Sequence, residues 1–223
     1  MKVKICGMKH NTLEVAALSP DFLGFIFWER SARHYTAPAL PPLPEGILPV
    51  GVFVDAREES ILEHVQKYGL QAVQLHGTES PAYCRSLRTL LKQHLPNGIT
   101  LIKAFSVGEN FEFGALEDYL PVCDMFLFDT KGELPGGTGK TFDWEVLGLY
   151  PYRKPFLLSG GIGEVHCSRL QEFLRSPKSK YCMGIDVNSK FEKAPGLKDT
   201  EALGRFLECR IWETRSTGVP NKQ

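Results

Sequence analysis

Met125-Phe126-Leu127-Phe128-Asp129-Thr130-Lys131, running on to Gly136-Gly137-Thr138-Gly139-Lys140-Thr141-Phe142-Asp143-Trp144, is the stretch whose reading decides the fold. An apolar run ends abruptly in a carboxylate. A glycine-dense loop follows, and then Thr141 and Asp143 offer helix-capping side chains before Trp144. A short apolar run bounded by turn residues fits a strand buried on both faces, as in a parallel sheet. Such a strand delivers one charged group to its carboxyl end, and the loop beyond it can wrap a ligand.

The same layout recurs on both sides of this stretch. Val3 to Cys6 is closed by Gly7, and Asp21 to Phe27 opens into the polar loop Glu29 to Tyr35. Val50 to Asp55, Ala72 to Gly77, Thr100 to Phe105, Pro155 to Gly161 and Met183 to Val187 complete the set. Helical spacing fills the intervals. Asn11 offers an N-cap for a helix through Leu13, Val15, Ala16 and Leu18. Ile61, Leu62 and Val65 share a helical face that Gly69 stops. Tyr83, Leu87, Leu90 and Leu91 form another, Phe113 to Tyr119 is a brief one, and Leu170 and Phe173 belong to a further helix. Asp199 can cap a last helix through Phe206 and Leu207, and the residues after about Trp212 read as a polar tail. Prolines between Pro38 and Pro49 leave room for only a short helix, because each removes a backbone donor.

One strand signal about every 25 to 30 residues, alternating with helical patterns, predicts an α/β fold and a single (β/α)₈ TIM barrel. Residues 1–223 read as one domain. An open doubly wound sheet is the competitor, but the G-x-G-x-x-G turn it uses for dinucleotides is missing after the first strand.

Composition sets the remaining bounds. An apolar fraction of 43% and a charged fraction of 23% supply an ordinary core without disulfides or metal. Twenty-six basic and 26 acidic residues cancel, so no global field points to nucleic acid or a membrane surface. The six cysteines are dispersed, with no C-x-x-C pair, which favours neither a zinc site nor a disulfide framework. No apolar run reaches the roughly 20 residues of a membrane span, and no signal-peptide pattern opens the chain. The expectation is a cytoplasmic protein with reduced thiols.

In barrels of this kind the site lies at the carboxyl ends of the strands. The polar residues found there are Cys6, Arg33, Asp55, His76, Lys103, Asp129, Ser159 and Asp186. Gly136-Gly137-Thr138-Gly139, Ser159-Gly160-Gly161 and Asp186-Val187-Asn188-Ser189 follow three consecutive strands. Backbone N–H groups in such loops bind phosphate dianions, although glycine also serves tight turns alone. Gly139-Lys140-Thr141 ends like a nucleotide-triphosphate loop, but the glycine that motif requires falls at Leu134, so that reading fails.

Several pieces together resemble one family. They are Lys4-Ile5-Cys6-Gly7, Ser31-Ala32-Arg33, Gln74-Leu75-His76-Gly77, Asp129 with its glycine loop, Ser159-Gly160-Gly161, Gly184-Ile185-Asp186-Val187 and Pro195-Gly196-Leu197-Lys198-Asp199. In this order and spacing they resemble phosphoribosylanthranilate isomerase. The resemblance implies an Amadori rearrangement in tryptophan biosynthesis, without cofactor or metal, on a small phosphosugar substrate. It implies Cys6 as the general base at ribose C2′ and Asp129 as the general acid at the ring oxygen. It further implies Arg33 on the anthranilate part, Gly137, Gly161, Asn188 and Ser189 around the phosphate, and Asp186 orienting the ribose. Cys6 then has to act as a thiolate, which a nearby cation would favour. Asp129 has to stay protonated, for which burial at the strand end would raise its pKa. His76, Lys103 and Asp55 are left outside the catalytic pair. The chain departs from the family pattern at Lys190, where a glycine is common, and at Tyr35, where a β-branched residue is common. A histidine-pathway aldose–ketose isomerase would carry an aspartate where this chain has Cys6, and a pure phosphate binder needs neither Cys6 nor Asp129. A monomer or homodimer is expected.

Overall fold

The computed structural model describes residues 1–130 and 143–209. The glycine loop after Asp129, including Gly137 and the capping candidate Thr141, lies outside the described residues, as does the tail.

Eight parallel strands close into a barrel in chain order. β1 is Lys2–Cys6, β2 Phe22–Ile26, β3 Leu48–Phe53, β4 Ala72–Leu75, β5 Thr100–Val107, β6 Met125–Thr130, β7 Phe156–Leu158 and β8 Cys182–Val187. β1 closes the ring against β8, with Lys4 opposite Asp186. Each strand falls where the apolar runs put it. Alternation then sorts the side chains, because successive residues of a strand face opposite sides. Val3 and Ile5 point outward into the layer between sheet and helices, while Lys4 lies on the inner face with Cys6. Phe22, Val50, Ala72, Ile102, Ala104, Met125, Leu127 and Leu157 fill the barrel interior as one apolar cluster. That plug forms the floor on which the strand-end groups stand.

The connections are uneven. α1 (Thr12–Ala16), α2 (Glu58–Tyr68), α3 (Pro81–His94), α4 (Cys167–Arg175) and α5 (Thr200–Leu207) are α-helices, whereas Phe113–Tyr119 and Trp144–Leu149 form 3₁₀ turns. Gly69 ends α2 in the left-handed conformation, at φ 61°. Asp199 caps α5 through Ala202 N at 3.0 Å. Asn11 does not cap α1. Its side chain instead clasps the backbone of Lys198, donating to the carbonyl at 2.9 Å and accepting from the N–H at 3.0 Å. The proline segment forms no helix, and Tyr35 and Tyr68 hydroxyls tie it down through the carbonyls of Ala39 and Ala37. A two-stranded antiparallel hairpin, β9 (Glu192–Ala194) and β10 (Leu197–Lys198), follows β8. Among the described residues no helix is long and apolar enough to cross a membrane.

Candidate active site

Above the apolar floor one cavity opens at the carboxyl ends of the strands. Cys6, Arg33, Asp129, Gly161, Asp186, Asn188 and Ser189 all line it, together with His76, Gln74 and Lys190. The sequence-derived site residues therefore converge, apart from Gly137, which is outside the described residues.

On the β1–β8 side, Cys6 is buried and its sulfur lies over Gly24 of β2, where a Cβ would come within 2.8 Å of it. Any side chain at position 24 would displace the thiol. Lys4, without solvent exposure, donates to Asp186 Oδ1 at 2.8 Å and shares the inner face of β1 with Cys6. The second Asp186 oxygen accepts from Ser159 Oγ at 3.3 Å. Burial works against the Lys4 charge, but Asp186 and then Cys6 outweigh it, and the ammonium is held above its ordinary pKa. Burial pushes the Cys6 thiol up. Lys4 and Lys198 pull it down, Asp186 opposes them, and the net lies above the ordinary value. The cation expected beside Cys6 is thus present, yet the resting group is a thiol.

On the β4–β6 side, Asp129 is 8% exposed and faces His76, with Nε2 3.4 Å from Oδ2. The Gln74 side-chain amide lies 2.8 Å from His76 Nδ1 and holds the ring with Nε2 toward Asp129. Sequence reasoning left this histidine aside, and the structure places it against the proposed acid.

Arg33 is held by Glu192. Nε donates to both carboxylate oxygens at 2.9 and 3.0 Å, and Nη2 donates to Oε2 at 2.6 Å. Among the described residues Nη1 has no hydrogen-bond partner, so that end of the guanidinium can meet a planar anion. Tyr35 is buried against Phe25, Phe27 and Tyr68 and takes no part in seating Arg33. Gly160 and Gly161 follow β7 with φ of 94° and 66°. Only glycine adopts such values without strain. Among the described residues neither of their N–H groups donates to a backbone carbonyl. Lys190 reaches the cavity with its stem packed over Gly163, whose Cβ would lie 3.1 Å from that of Lys190.

The family profile described as N-(5′-phosphoribosyl)anthranilate (PRA) isomerase matches residues 3–209. The chain belongs to the PRA isomerase family. The N-(5′-phosphoribosyl)anthranilate isomerase of Phocaeicola vulgatus is 41% identical over 209 residues, covering 93% of this chain and 96% of the relative. Among solved structures, the phosphoribosyl anthranilate isomerase of Thermotoga maritima is 30% identical with a TM-score of 0.74, covering 94% and 98% of the two chains. Another PRA isomerase, solved in complex with reduced 1-(o-carboxyphenylamino)-1-deoxyribulose 5-phosphate, is 29% identical with a TM-score of 0.70, covering 93% and 97%.

Two strand-end polar groups stand apart from this family's cavity. Lys103 pairs with Glu79 at 3.1 Å on the outer side of the barrel. Asp55, at φ 48°, accepts from Thr78 N at 2.6 Å and Oγ1 at 3.0 Å. The residues that sequence reasoning missed are Glu192 and, as a partner of Cys6, Lys4. Lys4 did carry a signal: a charge two positions before Cys6 in an apolar strand must share its face. Glu192 carried none.

Proposed function

We propose that this chain converts N-(5′-phosphoribosyl)anthranilate into 1-(2-carboxyphenylamino)-1-deoxyribulose 5-phosphate, the isomerisation step of tryptophan biosynthesis. Asp129 gives a proton to the ribose ring oxygen while the anilino nitrogen pushes open the C1′–O bond, which leaves an iminium at C1′. Cys6, as thiolate, takes the proton from C2′, and the resulting enolamine tautomerises to the ketone. Positioned acids and bases each contribute about 10²–10⁴-fold. Arg33 receives the anthranilate carboxylate on its Nη1 end. Gly161, Asn188 and Ser189 surround the phosphate, with Lys190 adding charge, and Gly137 belongs to the same cradle. Asp186, already holding Lys4, keeps lone pairs for a ribose hydroxyl. The reading needs neither metal nor cofactor. It takes the chain as one barrel domain acting in the cytoplasm on a small phosphosugar, as a monomer or homodimer.

The observation that carries this reading is the convergence of Cys6 and Asp129, from β1 and β6, on one cavity that also contains Arg33 and the Gly160-Gly161 loop. Purified protein should consume the fluorescence of phosphoribosylanthranilate, and no loss above the uncatalysed background would overturn the assignment.

A further inference from the structure

Pro195-Gly196-Leu197-Lys198-Asp199 caps α5 through Asp199 and receives the Asn11 clasp at the Lys198 backbone. It also builds β10, and through it a buried charge. The Lys198 side chain has no solvent exposure. Its ammonium donates to Asn188 Oδ1 at 2.7 Å, Glu192 Oε1 at 2.8 Å and the Asn188 carbonyl at 3.2 Å. Three acceptors saturate its three N–H bonds and fix its position. The assembly is pressed onto the turn that follows Cys6. Gly7 has φ 81°, and a Cβ there would meet Asn188 Oδ1 at 2.7 Å and Arg33 Cδ at 2.8 Å. A buried ion pair is weak as a stabilising device, because apolar residues of similar size commonly do as well. Its presence beside the turn that follows Cys6 calls for a chemical reason.

We propose that Lys198 is a positioning residue for the base: its buried ammonium stabilises the Cys6 thiolate that takes the C2′ proton, and Asn188 and Glu192 hold it in place. The inference rests on reading Cys6 as that base. The charges facing Cys6 are Lys4 from its own strand, Asp186 from β8, Lys198 from β10, Glu192 from β9 and Arg33 from the loop after β2, with His76 and Asp129 across the cavity. Lys4 is matched directly by Asp186, which offsets part of its pull on the sulfur. Glu192 divides its charge between Lys198 and a bidentate Arg33, which leaves Lys198 the less cancelled of the two cations. The thiol feels it, since Lys198 pulls the Cys6 proton affinity down against burial.

The test is the pH dependence of kcat/KM in K198Q, K198M and K198R. The rising limb reports deprotonation of the free enzyme's base. Removing a cation that favours the thiolate moves that limb to higher pH. A displacement of about one pH unit lowers activity near neutrality about tenfold, with recovery in alkali. K198R should restore the limb. If K198M fails to fold, as circular dichroism would reveal, K198Q, which retains hydrogen bonds to Asn188 and Glu192, carries the test. The pH midpoint of Cys6 alkylation by iodoacetamide, read by peptide mass, should move with the limb. A loss that is uniform across pH, with limb and alkylation midpoint unmoved, overturns the inference. Turnover by C6A would overturn the reading beneath it and this inference together. An inactive C6A with an unmoved limb in K198Q overturns the inference alone.

Discussion

Lys103 and Lys4 are both buried in the wall of the same barrel, and each pairs with a carboxylate. Lys103 points outward. It is 3.1 Å from Glu79 Oε2 and donates to the carbonyls of Gly77 and Ala104 at 2.9 Å. Glu79 in turn accepts from the N–H groups of Gly77 and Asp55. Beyond their mutual pair, both side chains are answered from the backbone, which ties together the ends of β3, β4 and β5. Lys4 points inward, where its ammonium holds Asp186 beside the Cys6 thiol that lines the cavity. Burial and pairing alone therefore do not mark a reactive site. The face of the strand, and whether one partner remains open to a ligand, is what separates the two.

The contrast can be sharpened or broken by substitution. The largest effects belong to the inner face. C6A and D129N should each lower kcat by about 10²–10⁴-fold while far-ultraviolet circular dichroism stays unchanged. Near-normal turnover in either variant would remove that residue from the reaction. Next comes K103M, which strands Glu79 as an uncompensated buried charge and should cost about 3–5 kcal/mol in urea unfolding. Its kcat per folded molecule should stay within a few-fold. K4M should lose comparable stability by stranding Asp186, but its kcat/KM should collapse as well. Equal activity in K4M and K103M would erase the distinction between the faces. The smallest effect is D199A. Loss of the α5 cap should cost about 1 kcal/mol with kinetics unchanged, and a clear kinetic defect there would mean that β10 is coupled to its helix.

Much of this was legible in the chain. Apolar runs ending in polar residues placed all eight strands, because a strand buried on both faces reads as a near-continuous apolar run. Cys6, Arg33, Asp129, Gly161, Asp186, Asn188 and Ser189 were placed at one end of the barrel for the same reason, and one cavity collects them. The hairpin was not legible: β9 and β10 are three and two residues long, too short for any periodicity to register. Asn11 misled because its side chain satisfies a distant backbone instead of its own helix. The pairing of Arg33 with Glu192 spans 159 positions, and that of Lys4 with Asp186 spans 182. No local pattern encodes a partner at such separation; only closure of the ring brings them together.

That closure has a consequence during synthesis. β8 is the last strand of the barrel to be made, and only when it docks on β1 does Asp186 reach the Lys4 ammonium. A nascent chain that has already made Cys6 and Asp129 still lacks Asp186, Glu192 and Lys198. The cavity residues made first therefore wait on those made last, and a chain truncated before β8 is expected to fold poorly, with its barrel left open. The salt bridge across the seam joins the first strand to the last, so it forms only in a chain long enough to close the ring.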